Sequence, residues 1–165
     1  TGDFSFAENM RFQVQAIAAG LEAIRAGKNI LVDVNMAASG VSKGLLAQFG
    51  GRVICRVAEP ETVERAKAGN LTRSEAAVER AIEDNIGIIA IGNAPTALLK
   101  TMELMEQGSF APDLVIGVPV GFVNAAESKE ILASKSYPFI TALGRKGGTP
   151  VAVAALNALL RLADK

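Results

Sequence analysis

The sequence predicts an α/β protein in three layers, a five-stranded parallel sheet of Rossmann-like organisation with helices on both faces. Strand-like and helix-like segments alternate from end to end of the 165 residues, with no linker, repeat or low-complexity stretch between them. Residues Ile86–Ile91 read Ile-Gly-Ile-Ile-Ala-Ile, apolar throughout, which is the pattern of a strand covered on both faces. Half of the residues are apolar, 28 are alanine and only 21% are charged, a composition that supports a packed core and excludes disorder. The length suits one domain and is short for two.

The elements follow in order. Phe6, Met10, Val14, Ile17, Leu21 and Ile24 recur at helical spacing, which predicts one long helix over residues 6–26. Ser5 followed by Glu8 reads as its capping box, and Gly27 stands where a helix-ending glycine belongs. The apolar run over 30–34, which holds Asp33, is long enough for a buried strand. A helix is expected over 42–49, closed by Gly50 and Gly51, then a strand over 52–57. Pro60 opens a short helix, at the position where its missing N–H costs least. Thr72 and Glu75 form a capping box for a helix running to residue 84. After the Ile86 strand come a helix over 95–107, a strand over 114–118, a helix over 123–134 and a strand over 139–143. Pro150 opens a final helix that runs to residue 163. Strands joined through helices are joined by crossovers, and crossovers make a sheet parallel.

Composition excludes several classes of function. Seventeen basic residues balance seventeen acidic ones without a long block of either sign, so neither a duplex-binding surface nor a basic membrane anchor is expected. No apolar run reaches the roughly 18 residues of a membrane span, and no stretch reads as a signal peptide. The 165 residues contain no histidine, which excludes from them any triad, metal site or proton shuttle that needs imidazole. The single cysteine, Cys55, cannot form an internal disulfide, which suits a reducing cytoplasm. It falls in an expected strand with no base in sight and reads as a core residue rather than a nucleophile. The first residue is Thr1 rather than methionine, and further residues are expected upstream.

In open parallel sheets, ligands bind beyond the carboxyl ends of the strands. The connections there are Asn35 onward, Ala58-Glu59-Pro60, Gly92-Asn93-Ala94-Pro95-Thr96, Gly117-Val118-Pro119-Val120-Gly121 and Gly144-Arg145-Lys146-Gly147-Gly148-Thr149. Any one of them reads first as a tight strand-to-helix turn, because glycine is common at turns. Three glycine-rich connections on one edge, each opening onto a helix, point instead to a large anionic ligand. No G-x-G-x-x-G follows the first strand and no G-x-x-x-x-G-K-[ST] occurs, so the ligand is not held like a dinucleotide or a nucleoside triphosphate. Thr72-Arg73-Ser74 reads either as a helix start with a solvated arginine, which spacing favours, or as a carboxylate site at a positive helix end. Asp33 at the end of an apolar strand is either functional or paired. Glu127-Ser128-Lys129 reads most simply as a solvated first turn.

Several of these loops resemble the signature loops of the precorrin-8X methylmutase family. The resemblance is carried by Gly92-Asn93-Ala94-Pro95-Thr96-Ala97-Leu98, Gly117-Val118-Pro119-Val120-Gly121-Phe122-Val123, Ala126-Glu127-Ser128-Lys129-Glu130 and Gly144-Arg145-Lys146-Gly147-Gly148. Thr1-Gly2-Asp3-Phe4, Thr72-Arg73-Ser74 and Asn157-Ala158-Leu159-Leu160 match as well, so the likeness runs from the first residue to the last. It implies an isomerase of corrin-ring (vitamin B12) biosynthesis that moves a methyl group from C11 to C12 of the macrocycle, giving hydrogenobyrinate or its cobalt form. It also implies a cytoplasmic homodimer with the tetrapyrrole at the interface, no cofactor, no metal, and no nucleic-acid or membrane partner.

For the site, the resemblance implies substrate contacts from Asp3, Asp33, Thr72, Arg73, Ser74, Asn93, Thr96, Gly117, Gly121, Phe122, Ser128, Lys129, Arg145, Lys146 and Gly147. The family's proton donor is a histidine a couple of residues before the stretch matched by Thr1 and Asp3, which places it upstream of Thr1. On this reading residues 1–165 are one methylmutase domain lacking its N-terminal segment, and no catalytic residue is expected within them. Val34 stands where relatives often carry threonine. Two rivals remain, a non-catalytic corrinoid-binding relative and an α/β enzyme acting on a small phosphorylated or carboxylated metabolite.

Overall fold

Six strands and nine helices form a mixed α/β arrangement, seen in a computed structural model that describes residues 1–165. The strands are β1 (Met10–Phe12), β2 (Asn29–Val32), β3 (Val53–Ile54), β4 (Ile86–Ile91), β5 (Leu114–Gly117) and β6 (Phe139–Ala142). They lie side by side in the order β1-β6-β5-β4-β2-β3. The pairs from β3 across to β6 run parallel, with Ile30 opposite Ile88, Ile89 opposite Val115 and Ile116 opposite Ile140. The sheet is therefore larger than the five all-parallel strands expected, because β1 joins it antiparallel to β6, with Met10 opposite Ala142 and Phe12 opposite Ile140.

The helices are α1 (Ser5–Asn9), α2 (Ala16–Arg25), α3 (Asn35–Gly40), α4 (Lys43–Gln48), α5 (Pro60–Gly69), α6 (Arg73–Arg80), α7 (Pro95–Glu106), α8 (Ala125–Ala133) and α9 (Thr149–Ala163). Side chains of a strand alternate between its two faces, so an all-apolar strand feeds two cores. Ile30, Val32, Ile88, Ala90, Leu114 and Ile116 pack with Ile24 of α2, Ala37 of α3, Leu46 of α4 and Leu156 of α9. Leu31, Ile89, Ile91 and Val115 point the other way, onto Val78 of α6, Leu98 and Met102 of α7 and Leu132 of α8. Every residue of β2, β4, β5 and β6 is buried. That explains why apolar residues dominate these strands.

The helix expected over residues 6–26 does not form as one piece. α1 ends at Asn9, β1 takes Met10–Phe12, and α2 begins only at Ala16. The apolar spacing that suggested a single stripe includes Val14, which is 92% exposed. The strand wins because β6 would otherwise present an unpaired edge, and β1 fills it. The Ser5–Glu8 capping box is absent as well. The Ser5 N–H donates to the Asp3 carboxylate, and the Ser5 hydroxyl accepts from Lys146. The Thr72–Glu75 box does form, with both of its reciprocal bonds, and Gly27 closes the turn after α2 at φ +69°. α3 occupies residues expected to be a turn, and β3 keeps only two of the six residues expected in a strand.

The chain passes from β2 to β3 on one side and then returns to place β4 on the other side of β2. That reversal is where an open sheet leaves a crevice at its carboxyl edge. Asp33, 5% exposed, follows β2 at this point. Its Oδ2 accepts from the N–H groups of Asn93 at 2.7 Å and Ala94 at 2.8 Å, and its Oδ1 accepts from Gly92 at 3.2 Å. Burial pushes the carboxyl above its usual range, against the pull of those three donors. Asp33 thus ties the end of β2 to the connection that starts α7. Asp33→Asn, which sets an NH2 against backbone N–H groups, should cost about 1–3 kcal/mol of stability. Urea unfolding measures this, and an unchanged midpoint would show that the 92–94 connection holds without the carboxylate.

Candidate functional site

A cleft of about 480 Å3 opens at the reversal, lined by Val34 and Asn35 after β2, Val57 and Ala58 after β3, Thr72-Arg73-Ser74 at the start of α6, and Asn93 after β4. The capping box decides how α6 presents itself. Glu75 holds the Thr72 N–H and hydroxyl, so the first turn is fixed and Arg73 stands free of it. Arg73 is exposed and takes part in no ion pair. The hydroxyls of Thr72 and Thr96 lie 3.2 Å apart, which joins the starts of α6 and α7. A cation and a row of hydroxyl and amide groups at two helix starts form a place for a carboxylate or another anion.

A second cluster forms where the connections after β5 and β6 meet. Gly148 donates to the Val118 carbonyl at 2.8 Å, and Gly121 donates to the Arg145 carbonyl at 3.2 Å. Gly147 must be glycine for this closure, since a Cβ there would lie 2.2 Å from the Val118 oxygen. The Arg145 guanidinium sits 5.6 Å from the centre of the Phe122 ring, in cation–π contact, and Phe122 itself is 84% exposed. Lys146 pairs with Asp3 at 2.7 Å, and that pairing holds the Asp3 carboxyl down at about 2. Lys129 of α8 reaches the same connection from below, donating to the Lys146 carbonyl at 2.6 Å. The two clusters touch through Gly92, where a Cβ would lie 2.7 Å from the Thr149 backbone.

The residues expected at the site therefore divide. Thr72, Arg73, Ser74, Asn93 and Thr96 gather around the cleft, while Asp3, Gly121, Phe122, Arg145, Lys146 and Gly147 gather at the second cluster. Four others sit beneath the surface. Asp33 is the buried tie described above. Gly117 ends β5 under Leu98 and Leu132, and Ser128, fully buried, bonds back to the Ala125 carbonyl. Lys129 is fully buried too, so Ser128 and Lys129 are not the solvated turn that their sequence suggested. Cys55 is half-buried against the core on the α2 and α9 side, and burial pushes its thiol up.

Asn35, Val57 and Ala58 also line the cleft; Asn35 and Ala58 fall in connections marked from the sequence, while Val57 was expected within a strand. The available signal was positional: each falls just after a strand, where the crevice had to open.

The precorrin-8X methylmutase family profile matches residues 1–162. The chain is similar to the cobalt-precorrin-8 methylmutase of Priestia megaterium, 48% identical over 165 residues, covering 99% of this chain and 73% of that protein. It is similar to the Salmonella typhimurium protein of the same name, 44% identical over 162 residues, covering 97% of this chain and 75% of the other. Among solved structures, the precorrin-8x methyl mutase of Thermus thermophilus superposes with a TM-score of 0.91 at 48% identity, covering 99% of this chain and 79% of that one. A precorrin-8X methylmutase related protein superposes at 0.90 and 32% identity, covering 98% and 85%. The chain belongs to the precorrin-8X methylmutase family.

Proposed function

We propose that this chain is an isomerase of corrin-ring (vitamin B12) biosynthesis that moves a methyl group from C11 to C12 of precorrin-8X, giving hydrogenobyrinate or its cobalt form. The observation that carries the reading, beside family membership, is the spread of donors along one sheet edge. Arg145 and Lys146 stand beyond β6 and the Arg73 cleft opens beyond β2, three strand spacings away, or roughly 14 Å. That span suits a flat macrocycle fringed with acetate and propionate groups. On the connection after β5, the exposed Phe122, Val123 and Val120 offer apolar surface for the ring.

The reaction breaks the methyl bond to C11 as the bond to C12 forms, and it gains or loses no atoms. The protein has to hold the ring in one geometry and bias its π-system by protonation. Arg73, Ser74, Asn93 and Thr96 at one end and Arg145 and Lys146 at the other hold the fringe. The proton comes from the histidine that the family resemblance sets just upstream of Thr1. The domain works as a three-layer, Rossmann-like unit in the cytoplasm, and it needs neither cofactor nor metal.

The partner is a second copy of the chain, with the tetrapyrrole at the interface. Exposed apolar surface supports this: Phe12 is 55% exposed, Val14 92%, Ile17 39% and Leu162 42%. An apolar groove of about 320 Å3 runs among Phe6, Met10, Phe12 and Ile17 and the outer face of α9. Clustered apolar exposure of this kind marks a protein interface. No helix is long and apolar enough to cross a membrane.

Titration with hydrogenobyrinate, followed by the visible spectrum, tests the ligand. Saturable binding is expected, and Arg145→Ala should weaken it by about 1.5–3 kcal/mol if the guanidinium meets a carboxylate. No spectral change with the wild-type chain would overturn the reading. Turnover of precorrin-8X by this chain and by one extended upstream through the histidine tests the acid, whose expected share is about 100- to 10,000-fold. Sedimentation at micromolar concentration should give a dimer, and a monomer would sink that part of the proposal.

A further inference from the structure

Lys129 is among the largest side chains that the fold buries completely. Its ammonium has three N–H donors, and the hydrogen bond it makes is to the Lys146 carbonyl, at 2.6 Å. No carboxylate pairs with it, since it is absent from every ion pair of the chain. Burying a cation without a counter-charge is costly, and an apolar side chain of the same length would fill the space more cheaply. The arrangement makes sense where the counter-charge arrives with a ligand.

We propose that Lys129 is a positioning residue that holds a buried positive charge beneath the 144–148 connection, toward which a carboxylate of the ligand is drawn. The proposal rests on the reading of the ligand as a polycarboxylated macrocycle. Lys129 acts on the ligand through the connection, since its amine donates to the Lys146 carbonyl. It acts in two ways. Its hydrogen bond fixes the backbone from which Arg145 and Lys146 project, and its charge, buried by the fold, is screened far less than a surface charge would be.

The charged groups on the elements packed against α8 are Lys100, Glu103 and Glu106 on α7, while β6 has none. The connection above holds Arg145 and Lys146, with Asp3 reached through Lys146. None of these shifts the Lys129 amine. Burial alone lowers it, from an ordinary 10.5 to about 8. A folded-state value below the unfolded one means that the burial cost is fully present below pH 8 and is relieved as pH rises toward 10.5. A ligand carboxylate near the amine works in the opposite direction and restores its proton.

The test is calorimetry of hydrogenobyrinate binding at pH 8.5 in two buffers of different ionisation enthalpy, beside the visible-spectrum titration. The wild-type chain should take up a proton on binding, to about three-quarters of one per site, since at pH 8.5 an amine with a value of about 8 is already about one-quarter protonated. Lys129→Met should abolish that uptake and weaken binding about tenfold at pH 7, with a smaller difference above pH 9. Lys129→Met should fold at least as stably as wild type at pH 7. If it does not, Lys129→Gln serves, with loss of proton uptake again the expected result. Uptake that persists in the variants, or wild-type binding without uptake, overturns the proposal. Failure of hydrogenobyrinate to bind the wild-type chain at either pH overturns the functional reading instead, and this inference with it.

Discussion

The carboxylate of Asp33 sits where the strand order reverses, and its oxygens accept from three successive backbone N–H groups of the connection after β4. A parallel sheet covered on both faces satisfies its own ladder, but the turns at its carboxyl edge have no ladder to join. One buried acid supplies what those turns lack and so sets where α7 begins. The starts of α6 and α7 are then brought together at the Thr72–Thr96 contact, and the cleft takes its shape between them. Asp33 read in sequence as either functional or paired, and here it is paired with the backbone that borders the cleft.

The other end of the edge is built by different means. The connections after β5 and β6 are laced to each other by backbone hydrogen bonds, with Gly147 pressed onto the Val118 carbonyl. The cations there are restrained. Arg145 lies over Phe122 and Lys146 pairs with Asp3, while Lys129 braces the backbone from below. Arg73, by contrast, has no acidic partner. A carboxylated ligand would meet a free cation at one end, and at the other a cluster whose pairs it must join or displace. The Asp3–Lys146 pair also connects the first residues to this cluster.

Much of the fold was legible because apolar runs and capping boxes act locally. Ile86–Ile91 formed as read, since a strand covered on both faces takes all six residues out of water. The Thr72–Glu75 box formed because both its bonds lie within one turn. Ser5 and Glu8 have the same spacing and formed nothing, as Asp3 and Lys146 claim Ser5 from outside the segment. The 6–26 stretch failed for the same kind of reason: Met10–Phe12 pairs with β6, more than 120 residues away, and no local pattern announces that.

By itself, the sequence determined the alternation of elements, the apolar strands, the glycine-rich connections at the carboxyl edge and the family. All of these are properties of short segments, set by periodicity, capping and backbone freedom. Only the tertiary structure decided which polar residues face outward. By its sequence Asp33 read as either functional or paired, and Lys129 and Ser128 read as part of a solvated turn. Burial turned the first into a tie, the second into a covered charge and the third into a backbone bond within α8. Exposure depends on what packs above a residue, and here that cover comes from strands and connections distant in the chain.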